Sequence, residues 1–295
     1  MQRWKVHWTL LRPFATAGIV PPMLLGFALA DQMTWEALGL WIWAFVGGMF
    51  LLYGTHYHNS YSDFVKGLDV LDPNLTPKKY TSGSQILPKG LASVREVVAG
   101  CILLYGLGLL TWIVLAVHVG SIIVLIPGLI GLGCGVSYNI WGKYKGYGEL
   151  HLALSFGLGS TLGGYLPINP VLSWDPFLAS IIPAALWSLF YTIDQYQDRE
   201  EDAMWGLKNL AMKLDEYPFP ISRFLEMGYT FTMFYHLILV NIGLFSPFTF
   251  ISILTIPLMF MSIAEADNNP KKAGVLTILT FGFYVMLVDF AMLVS

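Results

Sequence analysis

Charged residues are what this chain has least of. They occupy 12% of its 295 positions, against 56% hydrophobic residues and a mean hydropathy of +0.62. A soluble domain carries about 25% charged residues, so a water-soluble globular protein is excluded and a polytopic membrane protein is expected. Cysteine is scarcer still. Cys101 and Cys134 both lie in apolar runs, which leaves small core residues and no disulfide framework or cysteine metal site. The opening stretch, "MQRWKVHWTLLRPFATAGIVPP", puts basic residues before an apolar run but lacks a small-residue cleavage site. It reads as a retained first span, not a signal peptide. The net charge of −3 excludes little, because the placement of charge matters more than its sum.

Long apolar runs are abundant. A helix needs about 20 apolar residues to cross a bilayer, and nine stretches qualify: roughly 11–30, 36–58, 93–117, 120–138, 149–168, 176–195, 221–244, 246–265 and 273–293. The sixteen Lys and Arg residues all fall on one side of that nine-span arrangement, while the opposite connections "DQMTWE", "VHVGS", "INPVLSWDP" and "LFSPF" contain none. By the positive-inside rule the N-terminus is cytoplasmic and the C-terminus outside. The expected fold is all-α, a single membrane domain over 1–295 with two related four-helix halves and one further helix.

Two acidic clusters interrupt this pattern where spans run out. "HYHNSYSDFVKGLDVLDPN" carries Asn59, Asp63 and Asp69 after the second span, and "YTIDQYQDREEDAMWGLKNL" carries Asp194, Asp198 and Asp202 after the sixth. A spacing of four puts such residues along one helical face. Asn59 to Asp194 and Asp63 to Asp198 are each 135 residues, and the intervening helices are even in number, so both clusters open on one membrane face. Repeats of this kind commonly place a site at their interface. A single NxxxD at a helix end is more often merely solvated. Here both clusters sit at helix C-termini, where the dipole disfavours anions by about 0.3–1 kcal/mol, and converging carboxylates repel unless they share a cation. Oxygen-only ligands favour a hard ion such as magnesium, which typically binds through carboxylates together with phosphates. A diphosphate bridged by magnesium to both clusters is the economical reading.

These motifs resemble those of the UbiA-type intramembrane prenyltransferases, and the resemblance runs through most of the chain. Its NxxxDxxxD motif is matched by "NSYSDFVKGLD", with Gly67 at the third acidic position and Asp69 two residues later; its DxxxDxxxD motif is matched by Asp194, Asp198 and Asp202, followed by Gly206 and Lys208. "SYNIWGKYKGYGELHLALSFG" (137–157) and "TSGSQILPKG" (81–90) are similar to loops of the 1,4-dihydroxy-2-naphthoate branch. Three positions depart from the pattern: Asn209 stands at a usual threonine, Gln85 at an expected basic residue, and Asn59-Ser60 at a common Asn-Asp pair.

The resemblance implies transfer of an isoprenyl group from an allylic polyprenyl diphosphate, such as geranylgeranyl diphosphate, to an aromatic acceptor within the lipid bilayer, with no nucleic-acid partner. Magnesium would be held by Asn59, Asp63, Asp194 and Asp198, with Asp69 and Asp202 completing its shells. Asp63, Asp198 and Tyr138 are the expected catalytic residues, Tyr138 facing the allylic cation. Lys66, Lys143, Lys208 and Arg95 are candidate diphosphate contacts, though each single basic residue also reads as a topology-setting loop charge. Glu149 either orients the acceptor or caps a helix. His56 and His58 flank the first motif without an assigned role. The cytoplasmic loops over 59–92 and 194–220 carry the two motifs, and 66–92 is compatible with a lid. Other acceptors fit the same motifs: 4-hydroxybenzoate, a glycerophosphate headgroup, a chlorin or a haem. A cation-coupled transporter is the rival from another class, but it would place its carboxylates near the bilayer midplane.

Overall fold

A computed structural model of the chain describes residues 2–69, 84–204, 208–217 and 219–295, and every described element is helical. The chain opens with α1 (Arg3–Leu11), which stops because Pro13 has no amide proton to continue it and Arg12 turns left-handed at φ 49°. A 3₁₀ stretch (Pro13–Gly18) leads into α2 (Val20–Leu29). The long α3 (Trp35–Val65) starts at Thr34, whose hydroxyl accepts from the Ala37 amide, and α4 (Val94–Val119) starts at a Ser93–Glu96 capping box. α5 (Leu125–Ser137) continues into a π-helical segment, Tyr138–Gly142. The next run is α6 (Gly148–Leu152), a second π segment (Ala153–Gly159) and α7 (Ser160–Tyr165). After α8 (Trp174–Ala179) come α9 (Ile181–Met204), α10 (Leu210–Glu216), α11 (Ile221–Asn241), α12 (Ile256–Ala266) and α13 (Pro270–Val294).

Among the described residues, seven helices are long and apolar enough to cross a membrane: 3–29, 35–65, 94–119, 122–142, 174–199, 247–266 and 270–294. The two expected spans outside that set, 149–168 and 221–244, are both helical but more polar. The first carries Glu149, His151, Ser155, Ser160 and Thr161 and is broken into short pieces by its π segment; the second, as α11, carries Ser222, Arg223, Glu226 and His236. Part of the expected lid, 70–83, and Gly206 of the second motif lie outside the described residues.

Glycine sets the closest helix crossing. A Cβ at Gly26 would stand 1.9 Å from the Thr161 carbonyl oxygen, and one at Gly164 1.9 Å from that of Met23, so α2 and α7 touch backbone to backbone as small residues permit in membrane bundles. This crossing holds the Arg12-bearing start of the chain against the middle of the bundle. α13 packs between α2, α9 and α12, and polar links tie it to α11, and α11 to the 3₁₀ segment Pro247–Thr255, in an otherwise apolar interior. Tyr229 Oη lies 3.2 Å from Thr277 Oγ1, and His236 lies 2.8 Å from both Tyr284 Oη and Thr249 Oγ1.

Gly164→Ala is expected to lower stability by about 2 kcal/mol, the usual scale for overpacking that no rotamer change relieves. Gly39→Ala, where nothing lies within 4 Å of the added carbon, is expected to be neutral. Thermal unfolding of the two variants in one detergent checks the contrast.

Candidate functional site

The C-terminal end of α3 and the loop after α5 meet at one end of the bundle. Lys143 reaches back from that loop and places its ammonium 2.5 Å from Asn59 Oδ1 and 2.5 Å from Asp63 Oδ1. Both side chains of the ion pair are largely buried, 11% exposed for Lys143 and 17% for Asp63. Burial lowers the Lys143 pKa while the Asp63 carboxylate draws it back up, so the pair holds together as a compensated charge in a low-dielectric place. Tyr144 braces the same carboxylate: its hydroxyl donates to Asp63 at 3.2 Å and lies 2.6 Å from Ser62 Oγ. Lys66 at the end of α3 lies over the Tyr144 ring and donates to the Ile140 carbonyl at 2.9 Å.

The displaced third acidic residue of the first motif has a backbone reason. Gly67 adopts φ 72°, the left-handed conformation that ends helices, and the Leu68 and Asp69 amides return to the Asp63 carbonyl at 2.8 and 3.2 Å. A residue with a side chain at position 67 would strain this turn. The fold-back instead carries Asp69 beside Asp63, where it is buried, accepts from Gln85 Nε2 at 2.6 Å and leaves Oδ2 without a partner. Burial first and the neighbouring Asp63 charge second raise the Asp69 pKa. Gln85, found where a basic residue was expected, supplies a neutral donor to that carboxyl.

The second cluster arrives on α9. Asp194, Asp198 and Asp202 are half-buried along one face, and Asp202 accepts from Asn209 Nδ2 at 2.9 Å. Asn209 also caps α10 through the Met212 amide at 2.9 Å, and Glu149 accepts from the Leu210 amide at 3.0 Å. Glu149 therefore closes the start of α10, a helix other than its own.

What joins the two clusters is a residue the motif reading passed over as a loop charge. Arg12, in its left-handed turn, lies close enough to Asp63, Asp69, Asp194 and Tyr138 to interact electrostatically with all four, and its Nη2 is sealed from solvent without a hydrogen-bond partner. The signal was present: an arginine directly before a proline inside the first apolar run is a cation at membrane depth, which is functional by default. Strained backbone of this kind gathers at functional sites. Tyr138 stands at the edge of the cluster, its ring centroid 5.7 Å from the Lys143 ammonium and its hydroxyl 3.0 Å from that of Tyr191. Lys208 and Arg95 are exposed and are not drawn into the cluster. His56 Nε2 and His58 Nδ1 are buried without partners.

Among the described residues no group of three or more His, Cys, Asp or Glu side chains is gathered ready for a metal ion. The donor set nevertheless suits a hard cation. Asn59 and Asp63 present oxygens to a common point, and the Lys143 ammonium stands there as a positive charge in the position such an ion would take.

The profile of the UbiA prenyltransferase family matches residues 19–288. The 1,4-dihydroxy-2-naphthoate octaprenyltransferase of Mycobacterium tuberculosis is 26% identical over 216 residues, covering 70% of this chain and 68% of that protein. The protein of the same name from Haemophilus influenzae is 24% identical over 243 residues, covering 73% and 71%. Among solved structures, a UbiA homolog from Archaeoglobus fulgidus bound to GPP and Mg²⁺ has a TM-score of 0.63 at 19% identity, covering 98% of this chain and 100% of that one. A digeranylgeranylglyceryl phosphate synthase has a TM-score of 0.67 at 14% identity, covering 100% of both chains.

Asp63→Ala is expected to cost about 3 kcal/mol of stability, because breaking a buried pair strands the other charge. Asp63→Ala combined with Lys143→Met is expected to recover most of that loss. Unfolding midpoints of the two single variants and the double variant read the coupling.

Proposed function

The chain belongs to the UbiA prenyltransferase family, and from that premise we propose that it transfers a polyprenyl chain from an allylic diphosphate to 1,4-dihydroxy-2-naphthoate, releasing diphosphate, with magnesium as the cofactor. The observation that carries the reading is the pairing of two oxygen-rich clusters around buried cations: Lys143 between Asn59 and Asp63, and Arg12 within electrostatic reach of Asp63, Asp69 and Asp194. Such a pocket suits a polyanion brought in with its own divalent counter-ions. The naphthoate acceptor is supported by the relatives' names.

Asn59, Asp63, Asp194 and Asp198, backed by Asp69 and Asp202, would hold magnesium, which would supply Lewis-acid neutralisation of charge growing on the departing diphosphate. Arg12 presents an unpartnered Nη2 from within the site, a planar donor suited to phosphate oxygens. Lys143, whose ammonium bridges Asn59 and Asp63, is a point charge that would contact the diphosphate. Lys66 holds its charge at the rim through the Tyr144 ring. Tyr138 offers its ring face to the allylic cation, an attraction of about 0.5–2 kcal/mol. The enzyme sits in the cell membrane with its N-terminus and this site on the cytoplasmic side, as the placement of basic residues predicts.

The test is release of diphosphate from geranylgeranyl diphosphate with 1,4-dihydroxy-2-naphthoate. Turnover is expected to vanish with EDTA and return with magnesium, and to fall at least about a hundredfold in Asp63→Ala and Asp198→Ala, the scale of losing one stabilising group in the transition state. Retained turnover in both variants would refute the site. Arg12→Ala is expected to raise KM for the diphosphate about tenfold while leaving KM for the acceptor near its original value.

A further inference from the structure

Packing within the bundle accounts for only one face of α1. Val6 and Leu10 are buried against Tyr57 of α3, the Ile86–Leu87 segment and Val97 of α4. Trp4 and Trp8 lie one turn apart on the opposite side of the helix, 61% and 58% exposed. A face turned only to water would favour polar residues, because each indole left there keeps its apolar area wet. Neighbouring tryptophans at the charged end of a membrane-crossing stretch suit the headgroup–acyl boundary instead, which accommodates both an apolar ring and a polar N–H.

The charge around these indoles has one sign. Lys5 places its ammonium 5.5 Å from the Trp4 ring centroid. Lys89 and Arg95 are exposed where the chain enters α4, and none of these cations forms an ion pair among the described residues. Glu96 is already engaged by Arg3 at 3.1 Å, a contact that brings the starts of α1 and α4 together and leaves the positive excess uncompensated. Leu91 and Val94 add exposed apolar side chains among the cations, and Ile102, Leu103 and Leu110 continue an exposed apolar surface along α4. The corner is therefore continuous with a surface that a spanning helix turns toward lipid. It is also the outer side of the segments that deliver Arg12 and Gln85 to the polar cluster.

We propose that this corner binds anionic phospholipid headgroups, with Trp4 and Trp8 seated at the headgroup–acyl boundary and Lys5, Lys89 and Arg95 meeting the lipid phosphates. Aromatic rings beside lysine and arginine are the composition by which interfacial helices hold an anionic leaflet. A soluble protein partner would have to fit a face whose apolar part runs on into the bilayer, so the leaflet itself is the occupant. The surface is separate from the chemistry of the site and does not depend on which donor or acceptor is used there. It gives Lys89 and Arg95, which stand outside the buried cluster, a ligand of their own.

Fluorescence quenching by brominated lipids tests this on the full chain in bilayer discs of phosphatidylcholine mixed with phosphatidylglycerol. The parent is compared with a Trp4→Phe/Trp8→Phe variant, and the difference isolates two of the ten tryptophans. Brominated phosphatidylglycerol is expected to quench that difference signal in preference to brominated phosphatidylcholine by about fivefold or more, the scale of one cation near an anionic leaflet. Lys5→Gln, Lys89→Gln and Arg95→Gln combined are expected to abolish the preference. Quenching by phosphatidylcholine and the unfolding midpoint should stay as in the parent, which shows that the variant folds and its indoles remain in lipid. Quenching by both lipids without preference in the parent overturns the anionic ligand. A preference that survives the triple variant overturns the assignment of these cations. Indoles quenched by aqueous iodide and by neither lipid overturn the lipid surface, and indoles reached by none of the quenchers overturn it in favour of a protein contact.

Discussion

A buried ammonium held between an amide oxygen and a carboxylate is the constraint on which this molecule depends. Lys143 bridges Asn59 and Asp63, and so ties the end of α3 to the loop that follows α5. Neither group is stable alone at that depth. A lone carboxylate there would repel Asp69, and a lone ammonium would face the like charge of Arg12 without its carboxylate partner. The arrangement stays compact because its charges balance, and it remains responsive because the balance can be met in another way when a polyanion and its cations arrive.

The surrounding fold is arranged to supply those charges from separate parts of the chain. Pro13 stops α1 and leaves Arg12 turned into the site. Gly67 folds the end of α3 back so that Asp69 joins Asp63. Asn209 and Glu149 close the start of α10 behind Asp202. Each is a helix terminus, where unsatisfied backbone groups and irregular dihedrals are available. Rigid crossings such as that of α2 with α7 then carry these ends into register, as fixed scaffolds do for functional loops. Tyr138 stands at the edge of this polar end, between the Lys143 ammonium and the Tyr191 hydroxyl.

Much of the polar site was legible in the linear chain, because expensive residues at membrane depth stand out against an apolar background. Asn59, Asp63, Asp194, Asp198 and Lys143 announce themselves in that way. Arg12 carried the same signal but was grouped with the charges that orient the first span. Lys208 and Arg95, also expected as diphosphate contacts, have exposed side chains outside the buried cluster. Of the nine expected spans, 149–168 and 221–244 are helical but more polar than the seven long apolar helices among the described residues, through Glu149 and His151 in the first and Arg223, Glu226 and His236 in the second.

Sequence alone determined that the chain is helical and rich in long apolar segments, and that two acid clusters lie 135 residues apart. Those properties follow from transfer free energies and helical spacing, which are local and additive along the chain. Tertiary structure alone decided that Arg12 lies within electrostatic reach of both clusters and that Lys143 bridges Asn59 and Asp63. Those outcomes depend on helix ends more than fifty residues apart meeting within a few ångströms, and no periodicity in a sequence encodes where two such ends will touch.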